Sequence, residues 1–490
     1  MPIRTADEYL ASLRGRNLNV YLLGERVDEP VDHPVIRPSI EAVAETYRLA
    51  EQDPGLATAR SALTGEVVNR FLHVTTSADD VVMQNRMQRR LGQRTGTCFQ
   101  RCVGMDAINA LYSVTHDVDA AHGTPYHARF RAFVARAQRE NWVIGGAMTD
   151  VKGDRSRPPH QQDDPDLFVR VVERRPDGVV IRGAKAHQTG CLNSHWLLVM
   201  PTMRLAEADR DWAIACAVPV EAPGITYVVG RQSCDTRALE PGGGDQGNPT
   251  YAGQEALIVF EDVFVPNDQV FLDGQSAFAA PLVTRFTAYH RRSYVCKAGL
   301  GDVLIGAAAS LADQNGVSAA SHVRDKLVEM AHLNETIYGA GIAASHESEP
   351  TAAGNWQPDE LLANVCKHNV TRFPFEIARL AQDLAGGLLA TLPSDRDFAH
   401  PVAGPLLRKY LRAHPSGTVD QRRRLLRLIE NLTLGRNAVG YLTESMHGAG
   451  SPQAQRVQIL RLIGLEAKKA LAERLAGAEP TQAEPEDRSE

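Results

Sequence analysis

The chain has 490 residues, 43% hydrophobic and 23% charged, the balance of a globular protein with room for about two to four domains. A formal net charge of −6 without a basic stripe excludes a nucleic-acid footprint, and apolar runs such as 303–309 are too short to cross a bilayer. Residues 1–13 lack a hydrophobic leader core, and seven cysteines without framework spacing fit the reducing cytoplasm, where thiols serve metals or catalysis.

Residues 1–145 read as an N-terminal helical domain. Thr5-Ala6-Asp7-Glu8 is a capping box, so a helix starts there. Residues 40–50 and 80–91 carry apolar positions three and four apart, and Pro30, Pro34 and Pro38 mark an extended connection. Cys98 and Cys102 are four apart, and Cys102, Met105, Ile108, Leu111 and Tyr112 continue at helical spacing. Both thiols are therefore expected on one face of one helix, a turn apart. Such a pair suits soft metal ligation, and it equally suits two cysteines buried as small apolar residues. Arg86, Arg89, Arg90, Arg94 and Arg101 make the region basic, either as a solvated face or as an attraction for anionic groups.

Residues 146–278 read as a β domain, a barrel or sandwich, from β-branched runs at 167–172, 179–181, 196–200, 213–220, 225–229 and 256–259. A Gly-rich polar loop occupies 241–249. Helical periodicity returns over 279–475, at 303–311, 323–338, 361–380, 422–434 and 457–475, which predicts an antiparallel bundle. Residues 476–490 are expected to be a disordered tail. Helices, then strands, then a bundle make an α+β chain in the order of the acyl-CoA dehydrogenase-like flavoproteins. Cys191, Cys216, Cys234 and Cys366 have no paired spacing and read as core residues.

A second chemical patch runs from Tyr289 through His290, Arg291, Arg292, Ser293, Tyr294, Val295 and Cys296 to Lys297. With Cys98 and Cys102 it offers three thiols and one imidazole, enough for a four-ligand iron–sulfur site if the patches meet.

The stretches LGQRTGTCFQRCVGMDA, GAMTDVKGDRSRPP, RGAKAHQTGCLNSH, AYHRRSYVCKAGLGDV and TESMHGAGSPQAQR carry a resemblance to a known family. Over roughly residues 5–475 the chain resembles the 4-hydroxyphenylacetate 3-hydroxylase family, and within it the branch that dehydrates 4-hydroxybutyryl-CoA to crotonyl-CoA and isomerises vinylacetyl-CoA. The resemblance implies FAD, a [4Fe–4S] cluster, an acyl-CoA thioester substrate and a homotetramer. It implies cluster ligation by Cys98, Cys102, His290 and Cys296, and catalytic roles for His290, Tyr294, Glu444, Glu255 and Lys297, with Arg89 and Gln100 as further polar positions. Flavin contacts fall on Met148, Thr149, Asp150, Asp154, Arg155, Thr189 and Asn193, and Gly386 and Gly387 on the segment that meets a neighbouring subunit's FAD pyrophosphate. The interval from His290 to Cys296 is one residue shorter than the family's pattern, with Val295 where a Gly-Gly pair is expected. The alternatives are a flavin-dependent aromatic hydroxylase without a cluster, or a flavoprotein without catalysis.

Overall fold

The computed structural model describes residues 2–240, 244–415 and 417–478. The expected tail from 479 onward and positions 241–243 of the Gly-rich loop lie outside the described residues.

The capping box forms as expected. The Glu8 N–H donates to Thr5 Oγ1 at 3.1 Å and Thr5 N–H to Glu8 Oε2 at 3.1 Å, opening α1 (Ala6–Ser12). After strands β1 (Asn19–Leu22) and β2 (Glu25–Arg26) come α2 (Arg37–Gln52), α3 (Ala78–Thr95), α4 (Cys102–His122) and α5 (Tyr126–Glu140). Helix α3 stops at Gly96, which takes the left-handed conformation (φ 58°) and returns its N–H to Gly92 O. Residues 97–101 are then a loop, and α4 begins only at Cys102. Cys98 is thus off the helix, and the four-residue spacing is not a helical turn. The glycine cap and a left-handed Gln100 (φ 64°) turn the chain between the two thiols.

Two sheets follow. Strands β3 (Ile144–Ala147), β4 (Arg170–Arg175), β5 (Gly178–Thr189), β6 (Trp196–Val199), β7 (Ile214–Pro219), β8 (Ile225–Val229), β9 (Glu255–Pro266) and β10 (Val270–Asp273) form orders β2-β1-β8-β9-β5-β4 and β10-β7-β6-β3. Strand β1, from the N-terminal segment, pairs parallel to β8 and extends the first sheet. Among the described residues both sheets end in unpaired edge strands, so the expected barrel alternative is corrected: neither sheet closes. Phe130 and Phe133 of α5 pack on Phe271 of β10 at ring distances of 5.0 and 5.7 Å, sealing helices to sheet.

The C-terminal part holds α6 (Ala279–Ser293), α7 (Cys296–Gln314), α8 (Ser321–His346), α9 (Glu360–Val370), α10 (Phe373–Ala385), α11 (Val419–Thr433), α12 (Glu444–His447), α13 (Pro452–Leu462) and α14 (Leu465–Ala476). Leu300, Leu304, Leu311, Ile377, Leu426 and Ile429 bury a shared core between α7, α10 and α11. The helical run 276–314 reaches a mean hydropathy of 1.5 over an 18-residue window, but 67% of that window is buried inside the protein and a corner at Tyr294 breaks it. Helix α3 lies against α7. A Cβ on Gly299 would sit 2.2 Å from Arg89 O, and one on Gly92 would sit 2.5 Å from Cys296 O. This close approach carries Cys296 to the N-terminal helices.

Candidate active site

The corner between α6 and α7 sets the first group of side chains. Tyr294 and Val295 are both right-handed helical (φ −65° and −56°), so the corner demands no glycine. Val295 is fully buried against Gly341, where a Cβ would come within 2.1 Å of Val295 Cγ1. The shorter interval therefore still delivers Cys296 to the start of α7. There the Cys102 thiol donates to the Cys296 sulfur, and Gln88 Nε2 donates to Cys102 Sγ at 3.2 Å. The hydrogen bond from Cys102, assisted by Lys297, pulls the Cys296 thiol down, whereas burial pushes Cys98 and Cys102 up. Cys98 stands across the seam, its Sγ 3.9 Å from Glu444 Oε1 and its Cβ facing Gly253 and Gly440. All three thiols are free. The two sequence patches meet.

His290, on the last turn of α6, is held from behind. Its Nδ1 lies 2.8 Å from Asp106 Oδ2, and the same carboxylate accepts Ser293 Oγ at 2.9 Å. Asp106 is completely buried, with Arg292 at 3.7 Å. A carboxylate acceptor places the ring proton on Nδ1 and leaves Nε2 with its lone pair. Phe286 stacks on the imidazole and Tyr294 meets its edge, at 5.1 and 5.4 Å. Sequence reasoning missed Asp106, although it stands one helical turn past Cys102 within the CFQRCVGMDA string.

Tyr294, Lys297, Glu255 and Glu444 gather beside the thiols. Lys297 Nζ lies 3.2 Å from Glu444 Oε2, and this buried ammonium is held well in its charged form by Glu444 and the neighbouring sulfurs against the cost of burial. Glu255 opens β9 and accepts both its hydrogen bonds from Thr189 Oγ1, at 2.7 and 2.8 Å. Burial, then Glu444, raises the Glu255 carboxyl well above the usual carboxylate range, and burial raises the Tyr294 phenol. The Tyr294 hydroxyl runs against the backbone of Gly448, where a Cβ would sit 1.7 Å away. A site with two acids, a phenol, an ammonium and an oriented imidazole can move protons at both ends of a short substrate. Gln100 and Arg89 have other duties. Gln100 bonds Ser39 O, Ala252 O and Asn193 Nδ2, and Arg89 bonds Asp302 and Glu335 across the helices.

Two family models cover the chain: 4-hydroxyphenylacetate 3-hydroxylase N terminal over residues 5–272 and its C terminal over residues 279–477. The chain belongs to the 4-hydroxyphenylacetate 3-hydroxylase family. Within that family it is 54% identical to the 4-hydroxybutyryl-CoA dehydratase/vinylacetyl-CoA-Δ-isomerase of Clostridium aminobutyricum, over 97% of this chain and 99% of the other. The structure of an oxygen-tolerant archaeal 4-hydroxybutyryl-CoA dehydratase from N. maritimus superposes with a TM-score of 0.97 at 63% identity, covering 99% and 97% of the two chains. The oxygenase component of 4-hydroxyphenylacetate 3-monooxygenase complexed with FAD shares the fold at a TM-score of 0.84 and 22% identity, over 96% and 98%. Butyryl-CoA dehydrogenase from Megasphaera elsdenii shares it more distantly, at a TM-score of 0.50 and 13% identity over 88% and 98%.

The positions expected to meet flavin lie on the segment that follows β3 and at the end of β5 and the turn after it. Met148 N–H donates to Gln188 Oε1 at 3.0 Å, and Thr149 O accepts Ala186 N–H at 2.8 Å. Asp150 is spent on an ion pair with Lys185 and on Thr202 Oγ1. Asp154 caps its own turn through Ser156, and Arg155 is exposed. Asn193 is buried. Its Nδ2 bonds Gln100 Oε1 at 2.8 Å, while its Oδ1 has no protein partner. Gly386 (φ 69°) and Gly387 close α10 in open space, with nothing within 4 Å of a Cβ at either.

Proposed function

We propose that this protein dehydrates 4-hydroxybutyryl-CoA to crotonyl-CoA, with vinylacetyl-CoA Δ-isomerase activity, in a site that holds FAD and a [4Fe–4S] cluster. The observation that carries the reading is the meeting of Cys98, Cys102 and Cys296 beside Tyr294, Lys297 and Glu444. Aromatic hydroxylation by reduced flavin and oxygen has no use for three converging thiols. The dehydratase of Clostridium aminobutyricum, 54% identical, supports the same reading.

The donor set fits a cluster. Three unpaired thiols and an imidazole with a free Nε2 offer one donor to each of four irons. Among the described residues no three such side chains converge tightly enough for a single metal ion, and a cluster asks instead for donors spread around a cube. The orphaned Asn193 Oδ1 and the open Gly386-Gly387 backbone fit a flavin and its pyrophosphate. When bound, the flavin supplies an acceptor for electrons and hydrogen, and the cluster a Lewis-acidic iron.

The chain's own residues do the rest. The thioester acidifies the hydrogen at C2, and the hydroxyl at C4 leaves poorly unless it is protonated. His290 Nε2, aimed by Asp106, can take the C2 proton only while its lone pair is not held by a metal, so ligand and base would be alternating roles of one nitrogen. Tyr294, kept protonated by burial, gives its proton to the departing C4 oxygen, which leaves as water; the C3 hydrogen must leave as well, to the acceptor that a bound flavin would supply, and a hydrogen returned to C4 completes crotonyl-CoA. Lys297 fixes Glu444, which assists that departure, and Glu255, held by Thr189, favours its protonated form. Protein purified without oxygen is expected to carry about four iron and four sulfide per FAD and to form crotonyl-CoA. FAD without iron, and no crotonyl-CoA, would overturn the reading in favour of flavin-only chemistry.

We also read the protein as a homotetramer. Leu406, Tyr410, Leu434, Leu460 and Leu475 of the C-terminal helices are exposed, as are the two glycines expected to meet a neighbour's FAD. A monomeric mass in solution with full FAD would exclude it.

A further inference from the structure

One buried cation is unassigned. Lys367, on α9, has no exposed surface. Its Nζ donates to Ser445 O and lies 4.3 Å from the centroid of the Tyr294 ring. Among the described residues no carboxylate lies within 4.0 Å of it. The charged and titratable groups that face it are Lys297 of α7, Glu444 of α12, and Arg291 and Tyr294 of the α6 corner, with Cys366 beside it on α9. Burial, then Lys297, lowers its pKa to about 7. A buried ammonium without a counter-ion is costly, and an apolar side chain of the same volume would serve packing better.

Its two contacts explain the position. Ser445 follows Glu444, and Tyr294 supplies the phenol, so one ammonium touches the turn that carries one proton carrier and the ring that is the other. Arg291, on the preceding turn of α6, binds the far end of the same segment through Ala449 O at 3.1 Å. We infer that Lys367 is a positioning residue for the leaving-group end of the site, pinning the Glu444 turn against the face of Tyr294 so that both converge on the departing oxygen. The inference rests on the proposed dehydration for what is positioned; the contacts stand without it.

The test uses the FAD- and iron-loaded enzyme. Lys367→Met is expected to lower kcat about 10- to 100-fold with KM within about threefold, at unchanged FAD and iron content. Its crystal structure is expected to show the Tyr294 ring and the Glu444 carboxylate moved apart. Lys367→Arg, which keeps a cation and a donor, is expected to recover most of kcat. Wild-type kcat in Lys367→Met, or unmoved Tyr294 and Glu444 in its crystal structure, overturns the inference. Should Lys367→Met not fold, Lys367→Arg must exceed Lys367→Gln by about tenfold in kcat; equal values overturn it. If the wild type forms no crotonyl-CoA, the reaction assignment falls alone, and the displacement of the two side chains still decides the positioning.

Discussion

Lys185 in the sheet region and Lys367 at the helical seam are both buried lysines, and their surroundings differ sharply. Lys185 Nζ has three acceptors: Asp150, Met148 O at 3.0 Å and Met200 O at 2.8 Å. Lys367 has one carbonyl and an aromatic face. The sheet region satisfies its buried charge locally. The seam, where the loop 97–101, the α6–α7 corner and the turn from Glu444 to Gly450 meet, leaves the Lys367 ammonium with one carbonyl and no carboxylate within 4.0 Å among the described residues. Stability alone would not arrange groups this way; a site that must move protons would.

Four experiments break or sharpen the contrast. Cys296→Ser strikes the seam hardest: iron retention and crotonyl-CoA formation are expected to fall by more than the ~100-fold that loss of an outer partner costs, with the fold kept in circular dichroism. Lys185→Met strikes the sheet region and should cost about 3–5 kcal/mol in chemical unfolding, because Asp150 is left buried without its cation. Asp106→Asn keeps the shape but frees the imidazole to take either tautomer, and should lower iron affinity or kcat about 10- to 100-fold.

The smallest effect is in pH. Lys367 has its folded-state pKa depressed to about 7 from 10.5. The unfolded chain therefore holds more protons between those values, and stability rises with pH across that window. Thermal melts of wild type relative to Lys367→Met should gain on the variant from pH 7 upward and run parallel below it. Parallel curves throughout would remove the contrast between the two lysines.

Much of this was legible in the sequence, and the gaps have physical causes. The Thr5 capping box is local chemistry and formed as read. Cys191, Cys216 and Cys366 are fully buried, as cysteines without paired spacing should be. β-branched runs revealed strands but not whether they close, since closure depends on edge pairing between distant segments. The spacing of Cys98 and Cys102 misled because i, i+4 periodicity ignores a glycine cap; Gly96 was the available signal. Asp106 and Lys367 were invisible for another reason. Each looks like an ordinary polar residue in a helix, and only the packing of α4 on α6 and of α9 on the Glu444 turn gives it work.

The left-handed Gln100 carries a consequence for biosynthesis. A non-glycine residue in that conformation costs about 1–3 kcal/mol and persists only where its surroundings impose it. Here the imposing groups are Ser39 O, Asn193 Nδ2 and Ala252 O, with Gly190 making room beside its Cβ. Two of them are translated long after the cysteine loop has left the ribosome. The thiol pair thus acquires its final spacing only once the sheet region has folded around it.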